Sequence, residues 1–356
     1  MDSVSKKRAA EVAHDESLGW GDVDGGTLFL TGSTGLIGKA VVQCVLARNE
    51  ITASPISLVL PVRDTEKATA LFPEAKSPFV LFIPYESDWA SIGVNPDYVL
   101  HLAAMTSSAD FLNKPLEVLS FGIESSFKVL NCCEKWRPKK ALLSSSMEVY
   151  GSGAGHPLKE GDVASFDPAI PRNSYPLAKI VQEALFLNAY TEKEIPSVVA
   201  RLAQSFGPGV KEDDGRVFAD FARRAKSGED IVLLTSGEKR NMYVHVYDAA
   251  SALLFLLAKG NLGVVYNVAN ERTYCSIREM AELVIEKYST RSEACVRIEA
   301  DASATARFRP DGCLDLDCGK LKDLGWSPKY SIETMYSDLL ESWFSDDLSS
   351  RKGCER

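Results

Sequence analysis

The run Thr27-Leu28-Phe29-Leu30-Thr31-Gly32-Ser33-Thr34-Gly35-Leu36-Ile37-Gly38 constrains this chain more than any other stretch. Its apolar, β-favouring start predicts a buried strand, and the apolar spacing from Leu36 through Ala47 predicts a helix. Three glycines, each separated by two residues, join the two. Glycine lets the backbone turn sharply and lets a pyrophosphate approach the helix start, where free N–H groups and the helix dipole attract an anion. With a strand before it and a helix after it, such a turn reads as a dinucleotide site; without them it would be only a tight connection.

The 356 residues suffice for one large α/β unit or two modest domains, and an apolar share of 45% suits a packed core. A net charge of −9 argues against a nucleic-acid or anionic-membrane surface, while leaving an anionic small ligand open at a locally positive site. The start Met1-Asp2-Ser3-Val4-Ser5-Lys6-Lys7-Arg8 lacks the apolar core of a secretory signal, and no apolar run approaches a membrane span. Eight scattered cysteines with only four histidines argue against zinc and for reduced thiols in a cytoplasmic protein.

Residues 1–25 read as a mobile arm or a short helix packed on the outside. Strands are expected at Thr27–Leu30, Ser57–Leu60, Phe79–Ile83, Tyr98–Leu102, Lys140–Ser144 and Ser197–Ala200. Helices are expected at Leu36–Ala47, Pro115–Lys135 and Leu177–Tyr190. This alternation predicts an α/β fold, a doubly wound parallel sheet over residues 26–206. Gly207-Pro208-Gly209 then breaks the rhythm. Residues 207–345 are expected to form mainly a smaller substrate-binding lobe, with some segments free to return to the sheet, and to end in a helix from Ile332 to Phe344. Residues 346–356 form a tail.

Tyr175 and Lys179 lie four residues apart on an expected helix, so they share a face. Ser174 suits its cap and Pro176 its first turn. An ammonium beside a phenol favours phenolate, and such a tyrosine can take a proton from a hydroxyl while the carbon beneath loses hydride to a nicotinamide. Leu142-Leu143-Ser144-Ser145-Ser146 reads as a strand whose C-terminal end, where ligands of parallel sheets bind, could present Ser146 to the reacting oxygen. Taken singly, a solvated serine turn or an ordinary Tyr/Lys helix face explains either fragment. His101 and His245 sit in or beside apolar runs and read as core or supporting histidines, and Cys132 and Cys133 as helix residues without chemistry.

Together, the glycine turn, Ser146 ahead of Val149-Tyr150-Gly151 and the Tyr175…Lys179 pair resemble the extended short-chain dehydrogenase/reductase family. Within that family they are most similar to the nucleotide-sugar epimerases, dehydratases and decarboxylases. The resemblance implies Ser146, Tyr175 and Lys179 as the catalytic trio, with Glu148 able to steer the outcome or merely to orient the serine loop. It implies a dinucleotide on Gly32, Thr34, Gly35, Leu36, Ile37 and Gly38, with Asp88 and Trp89 near the adenine and Leu102, Ala103 and Ala104 along its middle. On the sugar-nucleotide side it implies Thr106, Ser108, Ser146, Gln204 in place of the usual Asn, Arg216 and Val217 of a gripping loop, and Arg309 at the diphosphate. Arg240 stands one position before the usual arginine, where Asn241 sits, so a bulge would have to restore it. Arg63 after the second strand could pair with a 2′-phosphate, making NADP possible, although an enzyme that recycles its own cofactor favours NAD.

The expected activity is NAD(P)-dependent epimerisation of a nucleotide-diphosphate sugar through a ketone, with C4 the favoured carbon, because it needs the fewest extra groups. Decarboxylation of a uronate comes next, supported by Glu148 and the Asp214–Val217 loop. Dehydration is weakened by Met147, which replaces the acid that protonates a leaving hydroxyl. Reduction with dissociable NADPH and non-catalytic NADP sensing remain alternatives. Homodimerisation through Pro115–Lys135 and Leu177–Tyr190 is implied by the resemblance, and no metal is expected.

Overall fold

The computed structural model describes residues 1–72, 78–153, 155–300 and 312–353, with side chains described up to residue 344. The first half runs α1 (Ser3–Ala13), α2 (Trp20–Val23), β1 (Thr27–Thr31), α3 (Leu36–Asn49), β2 (Ser57–Val62), α4 (Thr65–Leu71), β3 (Val80–Pro84) and β4 (Tyr98–His101). There follow α5 (Ser108–Asn113), α6 (Pro115–Trp136), β5 (Lys140–Ser146), α7 (Ser174–Lys193), β6 (Ser197–Leu202) and β7 (Gln204–Phe206). The remainder comprises α8 (Val217–Ser227), β8 (Ile231–Leu233), β9 (Arg240–His245), α9 (Val246–Lys259), β10 (Val265–Val268) and β11 (Asn270–Ser276). It closes with α10 (Ile277–Tyr288), β12 (Val296–Ile298), β13 (Cys313–Leu314), α11 (Gly319–Leu324) and α12 (Ile332–Gly353).

Seven parallel strands form the main sheet in the order β10-β6-β5-β4-β1-β2-β3. Alternation along each strand explains why both faces are covered. Leu28, Leu30, Leu58, Leu60, Leu142 and Val198 point into one apolar layer with α3 and α9, while Phe29, Val59, Val99, Leu143 and Val199 point into the other with α6 and α7. All six expected strands form, displaced by no more than two residues at their ends. The seventh, β10, comes from well beyond residue 206 and pairs with β6 in parallel.

The smaller lobe has its own core, in which Phe206, Phe218, Tyr243, Met280, Tyr336 and Trp343 join α8, α10 and α12. A mixed sheet in which β9 pairs with β7, β11 and β13 connects it to the main sheet, because β7 follows β6 almost directly.

Ser3–Ala13 is a helix docked against the body, burying Val4, Ala9, Val12 and Ala13. Its Arg8 donates to both carboxylate oxygens of Asp338 on α12, at 2.6 and 3.0 Å, and lies 4.5 Å over the Tyr330 ring. Asp338 is nearly buried and also faces His245 at 3.2 Å, so its ionised form depends on these two partners. Arg8→Ala is expected to lower the unfolding free energy by about 3 kcal/mol, because it leaves a buried carboxylate short of its main counter-charge. Urea denaturation of the two proteins checks this; a change below about 0.5 kcal/mol would contradict it.

Candidate active site

The candidate site lies at the carboxyl ends of β1, β4 and β5. β1 is followed by Gly32, whose φ of 72° and close approach to the segment after β4 exclude a side chain: a Cβ there would stand 2.8 Å from the Ala103 nitrogen. At Gly38 a Cβ would lie 2.1 Å from the Gly32 carbonyl oxygen, so α3 packs directly on the turn. Gly35 is the N-cap of α3 and no side chain caps it. The helix start therefore keeps amide donors available to an anion, which fits a dinucleotide pyrophosphate. Thr31 Oγ1 accepts from the amides of Leu102 and Ala103, both at 3.2 Å, and meets His101 Nδ1 at 2.7 Å. These contacts hold the ends of β1 and β4 together. Burial and the nearby Lys179 push the His101 imidazole down to about 3, so this histidine is neutral.

The side chains expected to react are organised by α7. Tyr175, Lys179 and Glu183 follow one another at four-residue steps and face the three serines at the end of β5. The Ser146 side chain lies near enough to the Tyr175 phenol to favour its ionised form. Lys179 Nζ donates to the Ser144 carbonyl oxygen at 2.9 Å, and Ser145 Oγ donates to Glu183. Glu183 is in turn held by Arg201 in a sealed pair, Nε to Oε1 at 2.9 Å and Nη2 to Oε2 at 2.7 Å. Arg201 Nη1 also donates to the Tyr150 hydroxyl, which donates to Asn267 Oδ1. A fully satisfied buried network of this kind fixes the register of helix on strand.

One electrostatic expectation is corrected. The Tyr175 phenol is raised, not acidified: burial disfavours the phenolate and the Glu148 charge repels it, while Ser146, Arg172 and Arg216 oppose these effects only in part. Lys179 stands 5.9 Å from the ring and directs its ammonium to Ser144. Burial lowers Lys179 to about 8.

Glu148 and Arg172 form a second ion pair beside Tyr175, with contacts of 2.9 and 3.0 Å. Arg172 also lies 4.9 Å over the Phe111 ring, which stacks on Tyr175 at 4.5 Å and 14°. Neither Phe111 nor Arg172 was expected at the site. For Arg172 a signal existed, since it precedes Tyr175 by three residues; Phe111, 64 positions away, offered none.

The other expected residues divide. Thr34, Leu36 and Ile37 lie on the turn and first helical residues after β1, and Ala104 follows the end of β4. Thr106, just before α5, and Ser108, the first residue of that helix, are exposed, and the same helix carries Phe111. Arg63 is exposed at the end of β2. Asp88 caps a short turn through the Ala90 amide. The Trp89 ring is fully buried against Phe29 and Tyr85, so its side chain belongs to the core. Arg216 caps α8 and pairs with Asp214, with Val217 beside it packed against the lobe core.

Arg240 is not brought to Gln204. β9 pairs regularly with β7, with Gln204 opposite Tyr243, so Asn241 shares that face and Arg240 takes the other. There Arg240 is held by Glu279 at 2.5 Å. The irregularity in the β9 ladder falls on β11, between Asn270 and Cys275, and leaves Arg240 on that other face. Arg309 lies outside the described residues. Among the described residues no cluster of His, Cys, Asp and Glu could hold a metal ion, and no helix is long and apolar enough to cross a membrane.

The lowered Lys179 gives a testable sign. Its folded value of about 8 lies below the ordinary 10.5, so the folded chain bears the desolvation cost of the charge fully below pH 8. That cost is relieved as pH rises from 8 towards 10.5. Relative to Lys179→Met, the wild type should therefore gain up to about 3 kcal/mol of stability across that window. Denaturant titrations at several pH values check this; a difference independent of pH would contradict it.

Residues 28–269 match the NAD dependent epimerase/dehydratase family. UDP-glucuronic acid decarboxylase 1 of Xenopus tropicalis is 28% identical over 240 residues, which cover 67% of this chain and 55% of the relative. The chain thus spans a little over half the length of that curated relative. UDP-glucose 4-epimerase of Thermotoga maritima superposes with a TM-score of 0.74 at 23% identity, over 90% of this chain and 99% of that one. UDP-glucuronic acid 4-epimerase of Bacillus cereus, solved with UDP-glucuronic acid and NAD, gives 0.71 at 19% identity over the same shares. At these identities the two structures show a shared fold. With most of the main sheet inside the matched span, the chain belongs to the NAD dependent epimerase/dehydratase family.

Proposed function

We propose that this protein transiently oxidises a sugar hydroxyl of a nucleotide-diphosphate sugar and returns the hydride to its product, with epimerisation as the net reaction. The single observation that carries this reading is the stripe Tyr175–Lys179 set against Ser144 and Ser146 at the carboxyl end of β5, beside the uncapped start of α3. Gly32, Gly35 and the amides of Leu36, Ile37 and Gly38 hold the dinucleotide phosphates. NAD, when bound there, supplies a two-electron acceptor and a positive charge near the phenol.

Ser146 donates a hydrogen bond to the reacting oxygen, and Tyr175 exchanges its proton with the hydroxyl. Because burial and Glu148 hold the phenol up in the free chain, Tyr175 rests as a neutral acid and needs added positive charge to act as a base. Lys179 anchors the floor of the site through Ser144. Gln204, Arg216 and Val217 are assigned to the nucleotide-sugar side.

Decarboxylation of a uronate is the second reading. It is favoured by the Glu148 carboxyl group held by Arg172 beside Tyr175 and by the 28% identity to a UDP-glucuronic acid decarboxylase. Pairing of two copies through α6 and α7 is retained as a proposal, supported by the exposed Leu116, Phe127, Val181 and Tyr190.

Tyr175→Phe is expected to lower turnover by at least about 1,000-fold, within the range lost with an essential acid–base group, while leaving NAD binding within threefold. Incubation with a panel of UDP-, dTDP-, GDP- and CDP-sugars, with products resolved by NMR, reads the first effect, and calorimetry reads the second. Turnover retained by this variant would remove the mechanism.

A further inference from the structure

Two arginine–carboxylate pairs flank the end of β5, and they are built differently. Arg201 and Glu183 are sealed, with side chains only 3% and 6% exposed. Their donors and acceptors are committed to Ser145, Tyr150 and the Glu160 carbonyl oxygen. Removing either charge there strands the other, so that pair is structural. Arg172 and Glu148 are 24% and 21% exposed beside Tyr175. Water reaches both, and an ion pair of that kind contributes on the order of 1 kcal/mol or less, so one partner can be exchanged for another of the same shape.

The arginine is already aimed. Its guanidinium rests on Phe111, and Phe111 rests on the Tyr175 ring, so three planar groups are stacked in series beside the reacting hydroxyl. Both donating nitrogens of the fork point at one carboxylate, Nη1 to Oε2 at 3.0 Å and Nη2 to Oε1 at 2.9 Å. A planar guanidinium held this way recognises carboxylates by geometry as well as charge. In the free chain the carboxylate in that position belongs to the protein. Glu148 reaches it from the turn after β5, where its own amide donates to Ser146 Oγ at 3.2 Å.

We propose that Arg172 is a specificity-determining residue that binds a carboxylate on the reacting sugar, and that Glu148 occupies its fork as an internal competitor until that substrate displaces it. The proposal rests on Tyr175 being the residue that meets the sugar, and it holds whether a uronate is then epimerised or decarboxylated. No bond is made or broken in the exchange: one carboxylate leaves the fork and another enters. The displaced Glu148 remains tethered at its backbone next to Ser146, facing the sugar ring.

The test is equilibrium binding, by calorimetry, of UDP-glucuronate and UDP-glucose to NAD-loaded protein in the Tyr175→Phe background, which keeps the stacked ring and stops turnover. The same matched pairs on dTDP and GDP cover a different base. Preference for the uronate over its neutral partner is expected to be at least tenfold. Arg172→Met should reduce it to within twofold without weakening the neutral sugar, and Arg172→Lys, which keeps the charge but not the fork, should fall between. Glu148→Gln should move the other way, strengthening uronate binding at least threefold, because the internal competitor has lost its charge. Opposite signs at two residues of one ion pair are what a merely structural pair cannot produce. Equal shifts for both sugars in both variants, or no preference in the parent, would overturn the proposal. Binding of neither sugar on any of the three nucleotides would instead sink the nucleotide-sugar reading itself.

Discussion

The site depends on α7 lying in one register against the end of β5. Three side chains at four-residue steps meet three consecutive serines, and the innermost, Glu183, is also paired with the buried Arg201. That sealed pair is the anchor. A shift of the helix by one residue would break a buried bidentate contact, and leaving such a charge unpaired costs several kcal/mol. The placement of Lys179 under Ser144 and of Tyr175 beside Ser146 follows from the anchor two turns away.

A gradient of burial runs along this stripe. At its inner end the charges are fully committed and the network is rigid. At its outer end Tyr175 is held neutral by desolvation and by Glu148, and the Arg172–Glu148 pair is open to solvent. Chemistry belongs at the outer end, where protonation states and partners can still change when a ligand brings its own charges. The second lobe acts on that end through the charge of Arg216 and is tied to the body through β7–β9 pairing and the Arg8–Asp338 contact.

Much of this was legible locally. The glycine turn declared itself because strand, turn and helix are contiguous, and the Tyr175–Lys179 face because helical spacing is a property of the chain alone. What escaped was set by distance in space. A return of some segment past residue 206 to the sheet was expected, but not that β10 would be the one and would pair with β6, since strand order is not written into any short segment. The face taken by Arg240 follows from the register of β9 against β7, which spacing does not reveal. Trp89 follows a capping aspartate just as a ligand-facing residue would, yet the fold buries its ring. The acidity of Tyr175 was misjudged because sequence proximity to a lysine says nothing of desolvation, nor of a carboxylate 27 positions upstream.

The most direct test of the central claim, that the hydride leaves the sugar and returns to it within one closed site, is the fate of deuterium placed on the oxidised carbon. With a nucleotide sugar labelled at C4 and the NAD-loaded protein, the product is predicted to retain the label at that carbon, with no net consumption of NAD. Deuterium appearing on free NADH or exchanged into water, or a product formed with stoichiometric loss of NAD, would contradict the account.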